Sequence, residues 1–349
     1  MLEFIPKQVH VLPQACKKSN KTRLSELLKF AISKDGIKYV FKFVTNRKEC
    51  SSIKTQFVVD KLSLKNDNHY DYAIGFLEYW SDRYLTYNVN ADKKYAWLHS
   101  TFANITSYPE GEFLWMRKVD KIVFVTDACK QAFVEDYPEF KDKTIVVENI
   151  LDGNLVQSRS KLEDLVDDNY LKFKEEKLFK IITVCRIDIN TKGLDRIVNC
   201  VKELKSKGYK FKWCIVGDGK DYNQLEYMIK NANVGDYIML VGNKLNPYPY
   251  IKQADVMVMP SRYEGKPMSI TEAQILGVPP IVTEYLSAKQ QIKNGVDGIV
   301  LNNVYDSFLN GMINLLSNVN IVGDMKSVLK VSNFENTGYI KSIEKELFE

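Results

Sequence analysis

Between Lys180 and Leu301 the sequence repeats one figure: a short apolar run, a turn, then a helix-length amphipathic stretch. Lys180–Val184, Lys212–Val216, Ile238–Val241, Asp255–Met259, Pro280–Thr283 and Gly298–Leu301 read as buried strands. Leu194–Lys205, Tyr222–Asn231, Tyr250–Gln253, Met268–Leu276 and Ala288–Lys293 read as the helices between them; Leu194, Ile197, Val198, Val201 and Leu204 share one side of the first. Strands joined through helices run parallel, because a tight hairpin is not available to bring the chain straight back. The expected domain is a six-stranded doubly wound α/β sheet. Ligands of such sheets sit outside the carboxyl ends of the strands, at the point where the strand order reverses.

A weaker version of the same rhythm precedes it. Ala73–Leu77, Lys94–Leu98, Lys121–Val125 and Thr144–Val147 are strand-like, and Ala128–Asp136 is helix-like. Residues 152–178 change character: Asp152, Gly153 and Asn154 open a polar stretch and Ser158–Lys177 is strongly charged, the composition of a linker carrying a short helix. The predicted organisation of the 349 residues is a Rossmann-like domain over 1–152, a linker over 153–178, and a second Rossmann-like domain over 179–335. Asp306–Leu316 closes that domain as a helix, and 336–349 forms a final amphipathic helix, Tyr339–Phe348, packing back on the first domain.

Composition excludes several classes. With 45% hydrophobic and 27% charged residues the chain can build a core, and no apolar run approaches the length of a membrane span. Six scattered cysteines and three histidines (His10, His69, His99) support neither a disulfide scaffold nor a zinc cluster. Met1–Lys7 lacks the zones of a secretory signal, so the expected location is the cytoplasm, including the inner face of the plasma membrane. The net charge of +5 is unevenly spread: residues 1–54 hold twelve Lys/Arg against four Asp/Glu, a balance of +8, leaving −3 elsewhere. Lys17, Lys18, Lys21, Arg23 and Lys29 accompany a helical apolar face of Leu24, Leu27, Leu28 and Ile32. Such a face is either simply solvated or drawn to an anionic membrane or polyanionic acceptor. No RNA-binding aromatic signature accompanies it, so nucleic acid is not an expected partner.

Three constellations fall at strand ends. Arg186 and Lys192 flank the loop after the first strand of the second domain, where two cations and free helix N–H groups suit a diphosphate without any metal. Gly217 and Gly219 follow the next strand and permit close approach to the backbone; Tyr222 stands where a dinucleotide fingerprint has its third glycine, so this is no NAD signature. Most informative is Pro260–Ala273, which places Glu264 in a loop after a strand and Glu272 in the following helix, with Gly265, Lys266, Pro267 and Met268 between them. Carboxylates flanking an anion site are unfavourable unless each has hydroxyls to grip.

Residues 180–301 resemble the nucleotide-sugar domain of glycosyltransferase family 4, of GT-B fold. The resemblance rests on Arg186 and Lys192 before Gly193, Val216–Gly219, Ala254–Asp255 leading to Pro260–Ser261, Glu264 and Glu272, Gly277–Pro279, and Asn294–Gly298. A fainter likeness runs back over residues 70–150, where Tyr95–Ser100 is similar to the strand ending in the family's active-site histidine, here His99. The resemblance implies two Rossmann-like domains facing a central cleft. It implies a retaining, metal-independent transfer of a hexosyl group, with no cofactor, from a nucleoside-diphosphate sugar (a UDP-sugar before a GDP-sugar). Arg186 and Lys192 would hold the diphosphate, Glu264 the donor-sugar hydroxyls and Glu272 the ribose; amides near Pro267 and Met268 would meet phosphate, and His99 the donor sugar. Glu284–Gly298 and Tyr72–Trp80 are most like bacterial surface-polysaccharide enzymes, whose acceptors are saccharides or lipid-linked saccharides.

One departure stands out. Family members open with a strand, a glycine-rich loop and a long helix, whereas Phe4–Leu12 resembles material from the second or third strand, so a truncated first domain is expected. This keeps alternatives open: an inactive or partner-dependent donor-binding remnant, and, less favoured by the two glutamates and few histidines, a nucleotide-sugar 2-epimerase.

Overall fold

The computed structural model describes residues 66–348 except 79, 106–112, 114 and 163–166. The basic stretch 1–54, with Phe4–Leu12, lies outside the described residues. The chain divides into two units, Met1–Phe124 with Phe133–Val146, and Val125–Ala132 with Val147–Glu349.

The described part of the first unit is a four-stranded parallel sheet in sequential order: β1 (Asn66–Gly75), β2 (Val89–Leu98), β3 (Lys121–Phe124) and β4 (Thr144–Val146). The helix Trp80–Asn88 carries the chain from β1 to β2 and packs so tightly that a Cβ on Gly75 would lie 2.6 Å from Asp82 Oδ1. Leu98, Ile122, Val123 and Phe124 are fully buried. Phe102 meets Phe133 edge-on with ring centroids 5.0 Å apart, and Phe140 is buried beside it.

The second unit contains a six-stranded parallel sheet, β5 (Phe179–Val184), β6 (Phe211–Val216), β7 (Ile238–Leu240), β8 (Val256–Met259), β9 (Pro280–Thr283) and β10 (Ile299–Leu301). Its spatial order is β10-β9-β8-β5-β6-β7, so the order reverses between β5 and β8. Alternate residues of each strand go to opposite faces, as the two-residue period of a strand requires. Ile181, Trp213, Ile215, Val256, Val258 and Ile281 enter one core, beneath the helices Leu194–Ser206, Tyr222–Asn231, Tyr305–Ser317 and Asn320–Val331. Ile182, Cys214, Val216, Met257, Met259 and Val282 enter the other, beneath Asp168–Glu175, Tyr248–Lys252, Met268–Ile275 and Ala288–Gln291. Both faces being covered explains why these strands read as unbroken apolar runs.

The stretch 153–178, expected as a linker, carries the helices Gly153–Arg159 and Asp168–Glu175 and belongs to the second unit. Asp152 and Asp167 cap them by accepting the N–H groups of Leu155 and Tyr170, while Val156, Tyr170 and Phe173 are buried. High charge on the outer faces concealed these anchors. At the other end, Asn336 Oδ1 accepts from Leu151 N–H at 2.8 Å and its Nδ2 donates to Asn149 O at 3.0 Å, ahead of the last helix, Ile340–Phe348.

Candidate donor site at the strand-order switch

Sequence places Lys192 and Glu264 far apart, but the switch between β5 and β8 brings their loops together. Lys192 ends the short helix Ile189–Lys192 after β5, and Glu264 lies in the loop after β8. The Lys192 ammonium donates to both oxygens of Glu264, at 2.7 and 2.8 Å. Ser261, fully buried at the foot of the loop, adds a hydrogen bond to Glu264 Oε1 at 2.7 Å. Glu264 is thus a carboxylate held by charge and by a hydroxyl, in a position burial alone would disfavour.

Glycine makes the approach possible. Gly193 has φ +65°, and a Cβ there would lie 2.1 Å from Pro260 O. The Gly217–Gly219 loop likewise meets the β5 loop: a Cβ would fall 1.9 Å from Cys185 O at Gly217 and 2.3 Å from Ile187 O at Gly219. Ile187 N–H donates to Asp218 O at 2.9 Å, and Ile189 N–H to Asp221 Oδ2 at 2.9 Å. What approaches these glycines is the backbone that carries Arg186. Arg186 itself is exposed, and no described side chain is hydrogen-bonded or ion-paired to its guanidinium. Neighbouring Cys185 is no nucleophile at neutral pH, since burial pushes its thiol up to about 12.

Polar residues not singled out from the sequence brace the loop that carries Glu264. Arg196, buried at 7% exposure, donates to Pro260 O at 3.1 Å and to Asn303 Oδ1 at 2.7 Å. Asn303 Nδ2 donates in turn to Arg262 O at 3.0 Å. Arg262 forms a two-pronged pair with Asp195, at 2.9 and 2.7 Å, and Thr283 Oγ1 donates to Ser261 O at 2.6 Å. No local pattern marked Arg196, which lies off the apolar side of Leu194, Ile197, Val198, Val201 and Leu204 yet is buried. The following turn is held similarly, by Ser287 Oγ donating to Gly265 O and Gln291 Nε2 to Pro267 O at 2.9 Å. Lys266 pairs with Glu148 at 2.5 Å. Pro267 caps the helix Met268–Ile275, and the first N–H groups of any such helix lack intrahelical acceptors.

Glu272 lies on that helix and accepts a hydrogen bond from the Tyr248 hydroxyl at 3.1 Å. Burial raises its carboxyl above the ordinary range, and the tyrosine bond only partly offsets this. In the first unit, His99 directly follows β2; its Nε2 is 2.8 Å from Phe76 O and its ring stands edge-on to Phe76 at 4.9 Å. With a carbonyl as partner, Nε2 is the donor of this bond. Among the described residues, no three of His, Cys, Asp and Glu are grouped to hold a metal ion, and no helix is long and apolar enough to cross a membrane.

The doubly wound sheet, with a cation–carboxylate pair at its order switch and helix N-termini alongside, is of the Rossmann-like class. Residues 169–327 match the family described as glycosyl transferases group 1. An Escherichia coli UDP-Gal:alpha-D-GlcNAc-diphosphoundecaprenol alpha-1,3-galactosyltransferase is 37% identical over 101 residues, 28% of this chain and 26% of that protein. A Staphylococcus aureus capsular polysaccharide biosynthesis glycosyltransferase, CapM, is 30% identical over 145 residues, 39% of this chain and 37% of that one. The chain spans less than half the length of the curated relatives it matches first. Among solved structures, Anabaena HepE in complex with UDP-glucose superposes with a TM-score of 0.62 at 16% identity, over 73% of this chain and 72% of that one. The fold is that of the GT-B glycosyltransferases.

Proposed function

We propose that the chain is a retaining, metal-independent glycosyltransferase of the family 4 kind. It would move a hexosyl group from a nucleoside-diphosphate sugar, a UDP-sugar first, to a saccharide or lipid-linked saccharide in surface-polysaccharide synthesis. The observation that carries the reading is the convergence of Lys192 and Glu264 at the β5/β8 switch of a glycosyl transferases group 1 domain. The names of two relatives, one acting on a diphosphoundecaprenol-linked sugar and one in capsule synthesis, support the acceptor class.

In this reading Arg186 and Lys192 take the diphosphate and offset the charge that builds on it as the bond to the sugar breaks. Donor entry gives Lys192 a second anion to serve, which frees Glu264 to grip sugar hydroxyls. Amide N–H groups of Gly265 and Met268 meet phosphate, with Pro267, which has no N–H of its own, shaping the turn between them, and Glu272 takes the ribose. The acceptor oxygen attacks the anomeric carbon on the face the phosphate leaves, and its proton passes to the departing phosphate oxygen. The protein then supplies position and charge rather than a nucleophile. The family resemblance gives His99 a place beside the donor sugar, and residues 1–54 contact with anionic membrane.

Incubating the purified chain with UDP- and GDP-sugars and a lipid-linked saccharide tests this, with the anomeric configuration of the product read by NMR. Transfer with retained configuration is expected. An inverted product overturns the mechanism, and donor binding without transfer favours the donor-binding reading instead. Co-sedimentation with anionic against neutral vesicles tests the membrane contact.

A further inference from the structure

Glu272 has a neighbour whose placement looks built rather than incidental. Tyr248 begins the helix Tyr248–Lys252, and that helix is fastened on two sides. Asn246 accepts the Tyr248 N–H at 3.4 Å and passes its own amide to Arg159 O at 2.8 Å. Tyr250 and Lys244 both bind Asp167, the cap of the helix Asp168–Glu175. Burial opposes ionisation of Asp167, yet the bonds from Lys244, Tyr250 and the Tyr170 N–H hold its carboxyl down to about 2, so the clasp is charged at any physiological pH.

The helix bearing Glu272 is fixed as firmly. Gln157 Nε2 donates to Ile275 O at 2.5 Å, and Gln291 Nε2 reaches Pro267 O and Thr271 Oγ1, both at 2.9 Å. Between these two held helices runs the bond from Tyr248 OH to Glu272 Oε1. Glu272 Oε2 has no hydrogen bond among the described residues. The tyrosine keeps its proton, because burial and the adjacent Glu272 carboxylate push the phenol up to about 12. It is therefore a permanent donor to one oxygen only.

We propose that Tyr248 is a positioning residue for Glu272: its hydroxyl fixes Oε1 and thereby the carboxylate plane, presenting Oε2 to the vicinal diol of a nucleoside ribose. The proposal rests on the donor-site reading above. A carboxylate free to rotate would meet two neighbouring hydroxyls only part of the time, and holding it lowers the ordering cost of binding.

Calorimetry with UDP and with 2′,3′-dideoxyuridine diphosphate tests it, the corresponding guanosine pair being run in parallel. The wild-type chain should prefer the diol-bearing nucleotide about tenfold, the scale of one charge-assisted hydrogen bond. Tyr248→Phe, which keeps the ring, should narrow that preference to about twofold by weakening only the diol-bearing nucleotide. In transfer assays the same variant should raise the donor KM and leave kcat near its wild-type value. Glu272→Ala should abolish the preference, and adding Tyr248→Phe to it should change nothing further. Equal weakening of both nucleotides by Tyr248→Phe, or an unchanged preference, overturns the positioning role. A wild-type chain that binds both compounds equally overturns the ribose role of Glu272 itself, and the inference with it.

Discussion

Lys192 and Glu264 form a two-pronged ion pair, 2.7 and 2.8 Å, across the point where the strand order of the second sheet reverses. Their side chains are 16% and 8% exposed, so each is the other's main compensation for lost water. The same two groups are those a donor's phosphate and sugar would engage. The pair is thus a structural clasp and, in the function proposed above, also the machinery that receives the donor.

Removing one partner should therefore hurt more than removing both. Lys192→Ala leaves a carboxylate stranded and should cost about 3 kcal/mol in urea unfolding. Lys192→Ala with Glu264→Ala should recover most of that stability while transfer stays abolished. If the double variant is as unstable as the single one, the clasp is not electrostatic.

The glycines at the switch should differ sharply from those on the surface. Gly193→Ala and Gly217→Ala each drive a methyl group into a carbonyl at positive φ, and should cost about 3 kcal/mol or more. Gly235→Ala, with open space around it and no positive φ, should be neutral or stabilising by about 0.5 kcal/mol. Thermal melts of the three variants distinguish the cases.

Arg196 should matter to a reaction it does not touch. Arg196→Met removes its hydrogen bonds to Pro260 O and Asn303 and should destabilise the chain by about 2 kcal/mol. Because those bonds hold the loop bearing Glu264, kcat/KM should fall at temperatures where the variant is still fully folded. Full activity in the folded variant would show that the loop keeps its shape without them.

Donor affinity should have an acid limb set by Glu272. Its carboxyl titrates above the ordinary value of about 4.3, and only the ionised form accepts from a diol without giving up a proton. Affinity should drop as pH falls through that raised value, while the ligand-free fold gains stability over the same range, since folding favours the protonated group. Tyr248 is the group bonded to it, and Arg159 acts on Tyr248. Glu272→Gln should remove both effects, measured by calorimetry and by urea unfolding across pH 4 to 7.

Much of the second unit was legible before any coordinates. The helix Tyr222–Asn231 and the strand Pro280–Thr283 have the bounds their patterns predict, the helix from Leu225 and Ile229 one turn apart and the strand because both faces of the sheet are covered. The first unit was harder. The strand β1 begins at Asn66, well before the apolar Ala73, because its polar half is held by parallel pairing to β2. The helix Trp80–Asn88 was not foreseen, since it buries Asp82, Arg83, Thr86 and Asn88 and so shows no apolar stripe. The helix Asn320–Val331 escaped as well, its buried Val322, Met325 and Leu329 being few among polar neighbours.

The site divides along the same line. Period, turn residues and the order of motifs determine from sequence alone that Arg186, Lys192, Glu264 and Glu272 sit at strand ends of one doubly wound sheet, because each is local to its own strand–loop–helix unit. Only tertiary structure decided that Lys192 clasps Glu264, that Arg196 and Asn303 hold the loop beneath, and that Tyr248 holds Glu272. Those contacts join segments distant in the chain, and no local pattern encodes which polar side chain will meet which across a packed sheet.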